Sequence, residues 1–134
     1  MSAYRAWVVS LFAALLVLST VGQAQEEVPS IAPAQLYEQQ QQPDPPLVID
    51  VRSVEEFRAG HLPGAMNIPH TQIAQRLDEI PRDRAVALYC MIGPRARLGE
   101  KALLDAGRTK LLHLEGGFAA WKEAGLPVER EAAP

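Results

Sequence analysis

A chain of 134 residues is long enough for one compact domain and too short for two of ordinary size. Hydrophobic residues make up 48% and charged residues 22%, a globular rather than a disordered composition. With 13 Lys and Arg against 16 Asp and Glu the net charge is −3, which argues against a nucleic-acid partner; the single cysteine excludes an intramolecular disulfide framework and any multi-cysteine metal site.

The first segment reads apart from the rest. Arg5 is the one charged side chain before Glu26, residues 6–18 are apolar except Ser10, and small residues at Gly22 and Ala24 close the stretch. A basic start, a short apolar run and a small-x-small exit predict a secretory signal peptide over 1–24, cut after Ala24. The expected mature domain is then 25–134, exported to the periplasm and without stable membrane association. The alternative is an uncleaved anchor, since residues 6–25 carry no charge and nearly suffice for a span. An unpaired cysteine in an exported protein suggests a reactive thiol or an intermolecular partner.

Residues 26–30 read as a tether. Residues 32–42 read as a helix with Pro33 in its first turn, stopped by Pro43-Asp44-Pro45-Pro46. The apolar, β-branched run 47–51 predicts a buried strand. Ser53 with Glu56 makes a capping box for a helix over 54–59, which Gly60 ends. His61-Leu62-Pro63-Gly64 is a turn and 65–68 a short strand. Ile73, Leu77 and Ile80 have helical spacing, so 71–80 is expected to be a helix. Residues 85–89 form the next buried strand, with Cys90 at its carboxyl end. A loop over 90–94 leads to a helix over 95–106, capped by Gly107. Residues 111–114 are the last strand, and Gly116-Gly117 turns into a final helix with Phe118 and Trp121 on one face. His61, His70 and His113 read as structural, and Phe118 and Trp121 as core.

Strands alternating with helices imply an α/β fold: a central parallel sheet with helices on both faces. Ligands in such sheets bind beyond the carboxyl ends of the strands. That edge is expected to gather Asp50-Val51-Arg52, Cys90 and Gly116-Gly117. A thiol between a strand end and a helix start feels the positive end of the helix dipole and the unpaired amides of the first turn. Both favour thiolate over thiol and so make a nucleophile. Arg95 adds positive charge at the helix start. Two chemistries fit: transfer of a sulfane sulfur and transfer of a phosphoryl group. Thiol phosphatases place an Arg after five intervening residues; here that position is Ala96, and Arg95 comes after four. No acidic residue in the loop can protonate a leaving alkoxide. The spacing favours sulfur transfer.

Four stretches resemble the motifs of the rhodanese family of sulfurtransferases. They are Leu47-Val48-Ile49-Asp50-Val51-Arg52 with Glu55-Glu56-Phe57; Gly60-His61-Leu62-Pro63-Gly64-Ala65-Met66-Asn67-Ile68-Pro69; Tyr89-Cys90-Met91-Ile92-Gly93-Pro94-Arg95; and Leu114-Glu115-Gly116-Gly117-Phe118-Ala119-Ala120-Trp121 with Gly125-Leu126-Pro127-Val128. Together they span about residues 31–128. With the leader, the chain is similar to the exported thiosulfate sulfurtransferases of the phage-shock type in bacteria.

The resemblance implies that Cys90 carries a persulfide. The loop Met91, Ile92, Gly93, Arg95 and Ala96 would bind the transferred sulfur through its amides, with Asp50 and Arg52 in support. It implies a small sulfur-donor anion or persulfide as donor, cyanide or a thiol as acceptor, and no metal or organic cofactor. The loop departs from the common pattern: Pro94 removes an amide, Met91 and Ile92 are apolar where relatives are basic or polar, and Ala96 replaces a hydroxyl residue. A less cationic mouth suits an organic persulfide or a protein thiol as well as thiosulfate. A persulfide carrier, sensor or protein-binding module that turns over poorly remains the alternative to an enzyme.

Overall fold

The computed structural model describes residues 27–132. The expected leader over 1–24, with its cleavage site, lies outside the described residues.

Among the described residues five strands form one sheet, in the order β1-β5-β4-β2-β3, with every neighbouring pair parallel. They are β1 (Ser30–Ile31), β2 (Leu47–Asp50), β3 (Met66–Asn67), β4 (Val86–Tyr89) and β5 (Leu111–Leu114). The α-helices are α1 (Pro33–Gln40), α2 (Val54–Ala59), α3 (Pro94–Asp105) and α4 (Gly117–Glu123). This is the expected α/β architecture.

The central strands carry almost no polar side chains because both faces of the sheet are covered. Alternation along β2 and β4 divides the core in two. Val48, Ala87 and Tyr89 pack with Leu36, Leu114, Phe118 and Trp121, beneath α1 and α4. Ile49, Leu88 and Cys90 pack with Val51, Ile73, Ala96 and Leu103, beneath α3. Helix α3 lies close on the sheet because its residue 99 is glycine: a Cβ there would sit 3.2 Å from Leu88 Cδ2.

Local signals place the helices that frame the site. Ser53 Oγ accepts the Glu56 amide at 3.2 Å, and the Glu56 carboxylate accepts the Ser53 amide at 3.3 Å, the capping box that starts α2. Pro94 occupies the first turn of α3, where a missing N–H costs the helix nothing.

Two expectations are corrected. Residue 30 is not tether: Ser30–Ile31 is an edge strand in register with His113 and Leu114. Residues 71–80 are not an α-helix. They form two short 3-10 helices, His70–Gln75 and Leu77–Glu79, with the break at Arg76 (φ −121°). A tertiary interaction overrides the helical spacing. The buried Arg108 guanidinium donates to the carbonyl of Ile80 and, at 2.8 Å, to that of Leu77.

If Arg108 holds this segment, Arg108→Ala leaves two carbonyls without their charged donor. The expected cost is about 1.5–3 kcal/mol of stability, measured by urea unfolding, with faster amide exchange over 70–80. A change within about 0.5 kcal/mol would contradict this role.

Candidate functional site at the carboxyl edge of the sheet

Strands β2 and β4 end side by side, with Asp50 paired to Tyr89. The Asp50 carboxylate, wholly buried, accepts the Tyr89 hydroxyl at 2.7 Å. It also accepts Arg52 through Nε at 2.9 Å and NH2 at 2.6 Å, and the Arg52 backbone amide at 3.0 Å. Arg52 in turn donates to the Gly60 carbonyl at 2.6 Å, and its guanidinium lies 4.3 Å from the Phe118 ring centre. Burial pulls the Arg52 guanidinium down, but the hydrogen bond and charge of Asp50 outweigh it and the net displacement is upward. Burial, followed by the charge of Asp50, keeps the Tyr89 phenol protonated far above its ordinary range. Asp50 and Arg52 are therefore a buried ion pair that joins β2, β4, the end of α2 and α4. The bonds the two side chains make run to each other and to Tyr89 and Gly60 of the rim.

Cys90 follows Tyr89 directly and is 1% exposed. Its Sγ accepts the Gly93 amide at 3.0 Å. Gly93 has φ +148°, a conformation that L side chains rarely adopt, and this turns its amide back onto the sulfur. The loop carbonyls point the other way. Phe118 donates to the Cys90 carbonyl at 2.8 Å and Ala119 to that of Met91 at 3.0 Å. Gly117 permits this approach: at φ +61°, a Cβ would lie 2.6 Å from the Cys90 oxygen and 2.7 Å from the Met91 oxygen. Helix α4 thus takes up the loop carbonyls while a loop amide turns toward the thiol.

The remaining site candidates separate. Met91 is half-buried against the core under α4, while Ile92 is 65% exposed at the mouth. The Ala96 side chain is buried in the core under α3 with Cys90. Arg95 does not stand free at the helix start. Its NH1 and NH2 donate to Glu56 at 2.7 and 3.0 Å, a bidentate pair that links α3 to α2. That hydrogen bond holds the Glu56 carboxylate down at about 2 from 4.5 and raises the Arg95 guanidinium. His61 is architectural: it stacks on Phe57 at 3.8 Å, and its Nδ1 lies 2.7 Å from the Phe57 carbonyl. The sequence reading makes Glu56 a cap only and His113 structural, and gives no role to Tyr89 or Glu100. Glu100 and His113 are buried together under the loop. Among the described residues no group of His, Cys, Asp and Glu side chains is arranged to hold a metal ion.

The Glu56–Arg95 pair carries a pH signature. A carboxylate whose folded-state pKa is depressed contributes stability above its unfolded pKa and loses it as pH falls through the folded value. Glu56→Gln is expected to be less stable than the wild type at neutral pH. The difference should shrink as pH falls from about 4.5 toward about 2, and should diminish in high salt because the pair is partly exposed. Chemical unfolding at several pH values checks this; a gap that does not vary with pH would contradict the pairing.

Comparison with known proteins agrees with the fold. Residues 32–124 match the model of the rhodanese-like domain. A sulfurtransferase of Allochromatium vinosum is 38% identical over 82 residues, covering 61% of this chain and 77% of that protein. An HTH-type transcriptional regulator of Mycobacterium tuberculosis is 42% identical over 92 residues, covering 65% of this chain but only 38% of the regulator. The crystal structure of a rhodanese-related protein from Thermoplasma volcanium superposes with a TM-score of 0.69 at 31% identity, over 77% of this chain and 99% of that one. The domain model spans more than half of the chain, so the chain belongs to the rhodanese-like domain family.

Proposed function

We propose that the chain is a sulfurtransferase that carries sulfane sulfur as a persulfide on Cys90. It takes the sulfur from thiosulfate or another sulfane-sulfur donor and passes it to cyanide or a thiol. The observation that carries this reading is the seat of Cys90: at the carboxyl edge of a parallel sheet, with the Gly93 amide 3.0 Å from Sγ. An N–H aimed at sulfur stabilises negative charge on the thiolate, and on the persulfide that replaces it. With thiosulfate, the thiolate attacks the outer sulfur. The S–S bond of the donor breaks, and sulfite leaves with the bonding pair. The acceptor then attacks the terminal sulfur of the persulfide and restores the thiolate; with cyanide the product is thiocyanate. The relationship to the Allochromatium sulfurtransferase supports the same class of reaction. If the leader is cut after Ala24, this exchange takes place in the periplasm, as for the exported phage-shock type.

A second reading is favoured by the loop surface. Arg95 is committed to Glu56, and Ile92 is exposed at the mouth, so the entrance offers an apolar edge and not a free guanidinium. Such an edge suits an organic persulfide or a protein thiol better than a dianion, and fits a carrier that hands sulfur to a protein.

The test is intact mass after thiosulfate and then after cyanide, with Cys90→Ser beside the wild type. Addition of one sulfur atom to the wild type alone, removed by cyanide with release of thiocyanate, is the expected result. No addition to a folded protein with a reactive thiol would overturn thiosulfate as donor. Addition that an organic persulfide achieves and cyanide fails to discharge would favour the carrier.

A further inference from the structure

The edge of the sheet opposite Cys90 carries a small cleft that the sulfur-transfer chemistry does not use. It lies at the amino ends of β4 and β5, where Val86 pairs with Leu111, and encloses about 50 Å³. Four cationic side chains line it. Arg82 and Arg84 come from the loop that leads into β4, and Arg108 and Lys110 from the loop that leads into β5. Thr109 adds a hydroxyl, and no acidic residue lines the cleft. The chain as a whole has a net charge of −3, so the cleft is a local reversal of sign.

These cations are not spent on carboxylates. Among the described residues Arg82, Arg84 and Lys110 have no acid within ion-pair distance. Asp83 is exposed and does not line the cleft, and Asp105 is paired with Lys101 at 2.8 Å. Arg84 is tethered through Nε to the Pro45 carbonyl at 2.7 Å. Arg108 supplies a separate signal. It is 8% exposed, and its two terminal nitrogens donate to the carbonyls of Ile80 and Leu77. Its Nε is buried with no hydrogen-bond partner among the described residues. A buried charged donor without an acceptor is unfavourable and rare in folded proteins.

We propose that this cleft binds a phosphate-type oxyanion, free or as the terminal group of a small phosphate monoester. Arg108 Nε donates to one oxygen, and Arg82 and Lys110 bring charge to the others from two separate loops. Guanidinium groups suit such an anion because their planar N–H donors match the spacing of its oxygens. The small volume selects a single oxyanion group, and a monoester leaves its organic part outside. The bound anion ties the loop into β4 to the loop into β5. β4 is four residues long, which places the cleft about 13 Å from Cys90 along the strand. The site is separate from the cysteine loop, and the inference does not depend on the reading of Cys90.

The test is an NMR titration of the wild type with inorganic phosphate, at an ionic strength held constant with sodium chloride. The Nε–H signal of Arg108 and the backbone amides of 82–84 and 107–110 should move together and saturate. The double variant Arg82→Ala, Lys110→Ala alters only exposed side chains and is expected to bind about tenfold more weakly. Arg108 itself is left in place because it also holds residues 70–80. Phenyl phosphate distinguishes the two sources of the anion. Saturation by both compounds supports a site for the terminal group, and saturation by inorganic phosphate alone supports a site for the free ion. Shifts that chloride reproduces, or that rise without saturating, would overturn the proposal, because general screening explains them. Saturable binding that the double variant leaves unchanged would overturn it as well.

Discussion

The Asp50 carboxylate lies wholly buried at the carboxyl end of β2, and the neighbouring elements are fixed by what they donate to it. Arg52 folds back onto both of its oxygens, and Tyr89 reaches across from β4. Through Arg52 the network extends to the Gly60 carbonyl, where α2 ends, and to the face of Phe118 on α4. Leu62 adds its amide to the Tyr89 oxygen at 3.0 Å. An isolated charge at this depth would be strongly unfavourable, and either partner alone would be worse than neither. The pair therefore fixes the rim in one arrangement, with Cys90 emerging at a defined place beside it.

The cysteine loop depends on that rim and on a division of its backbone groups. Its carbonyls at Cys90 and Met91 are taken by the amides of Phe118 and Ala119. The amide of Gly93 turns inward to the sulfur. Two glycines make the division possible, Gly93 by its positive φ and Gly117 by its lack of a side chain where the loop carbonyls pass. The resulting electrostatics are local. The Gly93 amide faces the thiol, and the guanidinium of Arg95 is paired with Glu56 on α2. Structure and chemistry thus share residues: Glu56 caps its own helix and holds the first turn of α3.

What could be read from the sequence follows from the range of the interactions involved. The α2 capping box, the β-branched strands, the place of Cys90 at a strand end and the parallel order rest on neighbours close in the chain, and all appear in the structure. The sites of error rest on distant partners. Residues 71–80 have helical apolar spacing, but Arg108 captures their carbonyls from across the fold. Ser30–Ile31 is too short to show a period, and its strand character comes from β5. Arg95 reads as a free cation until α2 brings Glu56 beside it. His113 reads as an ordinary strand residue, because its partner Glu100 lies on another element and helical spacing does not join them. Buried charge offered the one available signal: Glu100 falls among the small and apolar residues that α3 turns to the sheet, where an acid needs a partner.

The carboxyl edge of the sheet, and with it the cysteine loop, is held by the Asp50–Arg52 pair. The most direct measurement is the unfolding free energy of Asp50→Asn against the wild type at neutral pH. The substitution keeps the shape and removes the charge, leaving Arg52 buried without its counter-ion. The account predicts a loss of about 3–5 kcal/mol. A loss below about 1 kcal/mol would contradict it and would mean that the rim is held by apolar packing alone.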